Sequence, residues 1–180
     1  MHGLIFTSFR DYLSEAYDPE LAARIFKGEP LYLLSEAYAD ERFAALMART
    51  SEETGDDLEA VEHDFGVFTA QSTFARLYPA FFSIAGTARE FMLTVESRIH
   101  ELVRATIPNA GPPQLDIREL DGDGVAIVYT SPRRLCGLLR GLTEGTARHY
   151  GERSEIEEAR CMRRGDAACT FDVRFRRGSA

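Results

Sequence analysis

The chain has 180 residues, one domain's worth, and folding at that size buries roughly 70% of the unfolded surface without a disulfide framework. Hydrophobic residues make up 44%, aromatic residues 11% and charged residues 28%, which excludes a disordered chain. No apolar run of about 18 residues marks a transmembrane helix and the first residues lack a signal-peptide layout. The expectation is therefore a cytoplasmic protein with no membrane contact. A net charge of −8 disfavours nucleic acid as a partner, and three cysteines read as reduced thiols or metal ligands.

The first two-thirds of the chain has helical periodicity. Leu4, Ile5, Phe9, Tyr12, Leu13 and Ala16 share a face, and Asp18-Pro19 opens a second segment with Leu21, Ile25 and Phe26 as its apolar side. Gly28-Glu29-Pro30 ends it. Asp40 is placed to cap a helix through Thr50, and Thr54-Gly55-Asp56-Asp57 turns into a helix bearing Leu58, Val61, Phe65 and Phe68. Tyr78-Pro79 begins an aromatic stretch with Phe81 and Phe82, and a long helix runs from about Thr87 to Ile107, stopped by Pro108.

Beyond Pro108 the period drops to two. Leu115, Ile117 and Leu120, then Val125, Ile127 and Tyr129, flank the turn Asp121-Gly122-Asp123-Gly124 as a β-hairpin. Arg133 to Tyr150 reads as one helix closed by Gly151, and Ser154–Cys161 and Ala168–Phe175 read as two strands before a polar tail from Arg176. Helices followed by an antiparallel sheet with one inserted helix make an α+β fold.

Several residues carry chemistry. His100 sits on a mostly apolar stripe with Leu93, Ser97, Val103 and Ile107, edged by Glu96 and Arg104; it is either a core histidine or an axial metal ligand facing an apolar cavity. Pro113 stiffens the helix-to-strand turn and would also serve as a wall beside a planar ligand. Tyr129, Ser131 and Arg133 lie on one side of an extended segment, where a phenol, a hydroxyl and a guanidinium converge on one or two carboxylates. Cys161 and Cys169 bracket a hairpin and Cys136 lies near Arg133, as separate buried thiols or as a zinc site.

Taken together, these residues resemble the heme nitric oxide/oxygen binding family, H-NOX, over nearly the whole length. The carriers are the Met1-His2-Gly3-Leu4-Ile5 start, His100, Pro113 thirteen residues later, and Tyr129-x-Ser131-x-Arg133. The resemblance implies a single domain, 1–180, with a helical distal lobe over 1–65 and a proximal lobe with a four-stranded antiparallel sheet over 66–180. Heme b would lie between them. It makes His100 the iron ligand, Pro113 the residue pressing on the porphyrin, and Tyr129, Ser131 and Arg133 the holders of the propionates. Ile5, Phe9, Phe74, Phe82 and Leu142 become the expected wall, with His2 near the heme edge.

The family's oxygen-binding members use a distal tyrosine supported by asparagine and tryptophan. The corresponding positions here are Leu138, about Ala70, and Phe9. The resemblance thus implies a sensor that binds NO and CO at a five-coordinate ferrous heme and excludes O2; Tyr12, Thr69 and Gln71 are the residues able to spoil that expectation. It implies no catalysis. The message would go to a separate partner: a histidine kinase, a cyclic-di-GMP enzyme or a chemotaxis receptor. A subset of the family also holds zinc, which here implies Cys136, Cys161, Cys169 and a fourth ligand at Glu158, where the subset has histidine. His149 is the other candidate, and redox-active thiols are the alternative to zinc.

Two other readings compete. The hairpin Cys161-x3-Gly165-Asp166-x2-Cys169-x-Phe171 also resembles four-vinyl-reductase-type modules, heme-free binders of small ligands. An enzyme would need a phosphate loop, nucleophile elbow or HExxH, and the sequence has none. His63 with Asp64 and Glu62 reads as the solvated face of a helix whose buried face is Val61 and Phe65.

Overall fold

The computed structural model describes residues 1–178. Helix α1 (Gly3–Ala16) is followed by α2 (Pro19–Ile25), α3 (Asp40–Thr54) and α4 (Leu58–Phe68). Helix α4 runs on through a π-helical turn, Thr69–Phe74, into the short helices α5 (Ala75–Leu77) and α6 (Pro79–Ile84). The expected long helix is present with an interruption: α7 (Ala88–Thr94), a π-helical turn at Val95–His100, then α8 (Glu101–Thr106). Thr87 caps it, accepting the Glu90 N–H at 3.2 Å, and Ile107 is already extended ahead of Pro108.

Strands β1 (Gln114–Leu120), β2 (Gly124–Thr130), β3 (Glu152–Arg160) and β4 (Cys169–Arg177) form one sheet in the order β1-β2-β4-β3. Every neighbouring pair is antiparallel. Helix α9 (Cys136–His149) is inserted between β2 and β3. The α+β architecture is therefore as expected.

Four local expectations need correction. Asp40 does not cap α3; Ala39 holds the cap position without a side-chain bond, because Asp40 is engaged elsewhere. Helix α9 starts at Cys136 rather than Arg133, since Arg134 adopts a left-handed φ of 51° and turns the chain. Arg176 and Arg177 are strand, not tail: pairing with Arg153 and Glu152 carries β4 past its apolar alternation. Of the remainder of that expected tail, Gly178 donates to the Gly151 carbonyl at 3.0 Å and 179–180 lie outside the described residues. Glu62 is not solvated but 1% exposed.

Burial is organised as two apolar clusters. The first contains Phe6, Phe9, Leu13, Ile25, Phe43, Leu46 and Phe65, with Leu138 joining from α9. Its rings pack edge to face, Phe9 on Phe65 with centroids 5.0 Å apart and Phe6 on Phe43 at 5.4 Å. The second joins Phe82, Phe91 and Met92 to Ile127, Phe171 and Val173 of the sheet. The expected lobe boundary at 65/66 falls inside α4.

Helix α9 meets α4 backbone to backbone. Gly137, Gly141 and Gly145 recur every four residues on α9 and face α4 at the level of Gly66. A Cβ on Gly141 would lie 1.9 Å from the His63 carbonyl oxygen, and one on Gly66 2.5 Å from that of Leu138. Only glycine permits this approach. His63 then ties the same pair at the surface, with Nε2 2.9 Å from Glu144 and Nδ1 3.0 Å from Asp64.

Candidate functional site

The long helix, the turn after it, the end of β2 and α9 enclose a cavity of 310 Å³, within the range of small-molecule and cofactor pockets. His100, Pro113, Tyr129, Ser131, Arg133, Ile5, Phe74, Phe82, Leu138 and Leu142 all line it, as does His2. Residues from every part of the chain thus converge on one space.

Phe9 does not. It is fully buried in the first cluster, among Tyr12, Phe43 and Phe65, because its turn of α1 faces α3 and α4 rather than the cavity. Ala70 and Thr69 are buried away from the lining, and Gln71 is exposed. Tyr12 lines a separate surface depression with Glu15, Asp64 and Arg148. Three hydroxyl-bearing residues not expected from the sequence to face a ligand, Tyr78, Thr106 and Thr146, do line the cavity.

The His100 side chain is 15% exposed. Its Nδ1 lies 2.8 Å from Glu96 Oε2. Burial pushes the Glu96 carboxyl up, but Arg104 and His100 outweigh that and hold it below its ordinary value. An ionised carboxylate only accepts, so Nδ1 carries the proton, and the Pro113 backbone is a second polar neighbour of the ring. Burial lowers the His100 pKa against the opposing pull of Glu96, which leaves the imidazole neutral, the form that ligates a metal.

The polar end is built from the strand-to-helix passage. Tyr129 is 3% and Ser131 1% exposed. The Tyr129 hydroxyl accepts the Leu135 N–H at 3.1 Å, and Ser131 Oγ accepts the Arg133 N–H at 3.3 Å. Arg133 donates from Nη1 to the Gly111 carbonyl at 2.6 Å, and its Nε lies 2.7 Å from Asp40 Oδ1. The same Asp40 oxygen receives the Met1 ammonium at 2.5 Å. Burial raises the Asp40 pKa, yet Arg133 and the ammonium together bring it below its ordinary value. This clamp spans most of the chain, and no local pattern announces it.

His2 caps α1, its Nδ1 accepting the Leu4 N–H at 3.2 Å. Its Nε2 is buried without a protein partner among the described residues. An apolar slot with an oriented imidazole in its wall, a cluster of donors at one end and an unpartnered ring nitrogen suits a flat, largely apolar group bearing carboxylates.

A second cluster lies where α9 begins. Ligand atoms of Cys136, Cys161, Cys169 and Glu158 all lie within 4.8 Å of one another. Cys136 Sγ is 3.7 Å from Cys161 Sγ, the three thiols are free, and the Met162 N–H donates to Cys169 Sγ at 3.2 Å. Glu158 Oε2 accepts from Arg164 at 3.2 Å, while Oε1 is buried with no partner among the described residues. Burial pushes the Cys136 and Cys169 thiols up. His149 is not in the group; it packs on Phe82, with centroids 4.5 Å apart, and beside Tyr150. Between this cluster and α4, Arg163 pairs with the buried Glu62 and donates to the Arg134 carbonyl at 3.0 Å.

Comparison with known proteins fits this geometry. The family model described as Haem-NO-binding matches residues 2–158. The structure is similar to that of an H-NOX protein from Shewanella oneidensis in the Fe(II)NO ligation state, with a TM-score of 0.91 and 20% identity over 98% of this chain and 99% of that one. It is similar also to the Fe(II) unliganded H-NOX protein from K. algicida, with a TM-score of 0.86 and 20% identity over 100% of this chain and 99% of that one. In sequence, 166 residues are 25% identical to soluble guanylate cyclase 89Db of Drosophila melanogaster, covering 84% of this chain and 24% of that protein. The chain thus spans about a quarter of that relative's length.

Proposed function

The chain belongs to the Haem-NO-binding family of heme-based gas-sensor domains, and from that premise we propose that it is an NO sensor. On this reading His100 ligates a ferrous, five-coordinate heme b that takes NO and CO, excludes O2 and reports to a separate protein. The observation that carries it is His100: an imidazole whose Nδ1 is tied at 2.8 Å to Glu96 and which lines the apolar 310 Å³ cavity.

Heme, when bound, supplies an iron with one coordination position open to a gas. The chain's residues do the rest. Tyr129, Ser131 and Arg133 offer donors to the carboxylates of the ring, with Asp40 fixing the guanidinium. Pro113 stiffens the wall on the His100 side. Ile5, Phe74, Phe82, Leu138 and Leu142 exclude water. Bound O2 gains from a hydrogen-bond donor, whereas NO needs none, and Leu138 provides none. The helical distal lobe and the proximal lobe with the sheet, joined through α4 rather than parted between 65 and 66, are the bodies whose relative position a bound gas would bias, and the receiver would be a histidine kinase, a cyclic-di-GMP enzyme or a chemotaxis receptor in the cytoplasm. Among the described residues no helix is long and apolar enough to cross a membrane.

We assign zinc to Cys136, Cys161, Cys169 and Glu158, supported by their mutual reach of 4.8 Å and by the unpartnered Glu158 Oε1. Its role is structural.

Absorption spectroscopy tests the sensor reading. The purified ferrous protein should show one broad Soret band in air that shifts with NO and with CO, and His100→Gly should lose iron ligation until imidazole is supplied. A protein that stays colourless with added heme would sink the reading in favour of the heme-free module. A stable change on admitting O2 would overturn the gas selectivity alone and point to Tyr78 or Thr146 as the donor.

A further inference from the structure

We propose that Glu96 is a positioning residue that locks the His100 ring and lends it anionic character, so that it binds the metal more strongly than a neutral imidazole would. This rests on the heme reading above. Glu96 lies one turn before His100 on the π-helical stretch. Its Oε2 accepts from His100 Nδ1 at 2.8 Å and from the Leu115 N–H of β1 at 3.2 Å, and its Oε1 accepts from Arg104 Nη2 at 2.5 Å.

The carboxylate is thus held from three directions: by the ligand, by the next turn of the same helix, and by the strand that follows Pro113. It cannot swing away from His100 without stranding the Leu115 amide, whose residue is 7% exposed. A carbonyl facing the other ring nitrogen of a metal-bound histidine mainly orients it. A full carboxylate also raises the basicity of the ligating nitrogen, and such outer partners typically change metal affinity 10–100-fold. Through this lever the protein tunes its iron without touching it. The consequence is directional: Glu96 strengthens the iron–His100 bond and favours ferric over ferrous iron.

Glu96→Gln tests this, because glutamine keeps the shape and an acceptor for Leu115 while removing the charge. In the heme-loaded variant we expect the Fe(II)–His stretching band in resonance Raman spectra to fall, the reduction potential to rise, and heme transfer to apomyoglobin to accelerate about tenfold. Glu96→Asp should restore part of each change. A role confined to holding β1 would leave band and potential where they were, and that result in heme-loaded Glu96→Gln overturns the proposal.

Should the glutamine variant not retain heme, His100→Gly with Glu96 intact decides the matter. Imidazole, which has an N–H for Glu96, should then give a higher iron–ligand frequency than 1-methylimidazole, beyond the difference the two show on free heme. Equality overturns the proposal. A wild-type protein that takes up no heme refutes the sensor reading instead, a different outcome from unchanged spectra in a heme-bound variant.

Discussion

Replacing Gly141 by alanine perturbs the close backbone approach of α9 to α4. The new Cβ would stand 1.9 Å from the His63 carbonyl oxygen and 3.0 Å from the Gly66 Cα. Ordinary contact begins near 3.4 Å, so α9 and α4 must separate by about 1.5 Å. Neither atom it meets is a flexible side-chain end, so the whole crossing has to yield. Overpacking of this kind costs about 1–3 kcal/mol and occasionally more; better helix propensity returns about 1 kcal/mol. Because the overlap is with backbone on both counts, the cost lies at the upper end of that range and the net loss is about 2 kcal/mol, which for a chain of this size lowers Tm by about 4–8 °C. Circular dichroism melts of the heme-free protein measure it. Gly86→Ala is the control, since its Cβ meets only Glu90 Oε2, at 3.4 Å. Leu138, Leu142 and Thr146 ride on the displaced helix and line the cavity, so heme uptake should weaken in step. A Gly141→Ala protein as stable as wild type would refute the backbone-to-backbone account of this crossing.

Other outcomes follow from the site. Burial raises the Glu62 pKa despite Arg163, so the native state holds that proton more tightly than the unfolded chain. Its contribution is full below the ordinary carboxyl value and is lost as pH climbs through the raised one. Tm measured against pH should fall more steeply over that window for wild type than for Glu62→Gln; parallel curves would contradict this. Metal analysis should find about one zinc per chain, lost in Cys161→Ser; less than about half an equivalent in wild type, with three titratable thiols, rejects the site. Asp40→Ala should free Arg133 and accelerate heme loss severalfold while the iron–His100 frequency stays put, a split that transfer kinetics and Raman spectra read separately.

What the sequence made legible was local. Alternation on either side of Asp121–Gly124 located the β1–β2 hairpin, and Thr87 and Pro108 bounded the long helix, because caps and turn residues act on their immediate neighbours. His100, Pro113 and the Tyr129–Arg133 segment stood out only through the resemblance to the family's pattern, since their spacing alone fits a core histidine, a turn and a strand end equally well. The clamp of Met1, Asp40 and Arg133 was not, since its members meet only after the chain has folded back on itself. Phe9 was misplaced because helical periodicity identifies a buried face without saying what buries it. The same holds for Glu62: a charge at that position reads as solvated until Arg163, a hundred residues on, is seen beside it. The glycines of α9 were visible at four-residue spacing, but the leucines of the same helix drew the reading to its other faces.

Both long helical runs widen by a π-turn, at Thr69–Phe74 and at Val95–His100, and such turns commonly mark single inserted residues at functional positions. Helix length is therefore a setting here. Deleting one residue from 97–99 would let the helix close to 3.6 residues per turn, removing the widened turn that carries Glu96 and His100. Glu96 and His100 would then stand three residues apart instead of four, and their contact would have to re-form in a different geometry although neither had been substituted. A change of length in this stretch should therefore disturb the Glu96–His100 contact as directly as a substitution of Glu96 would.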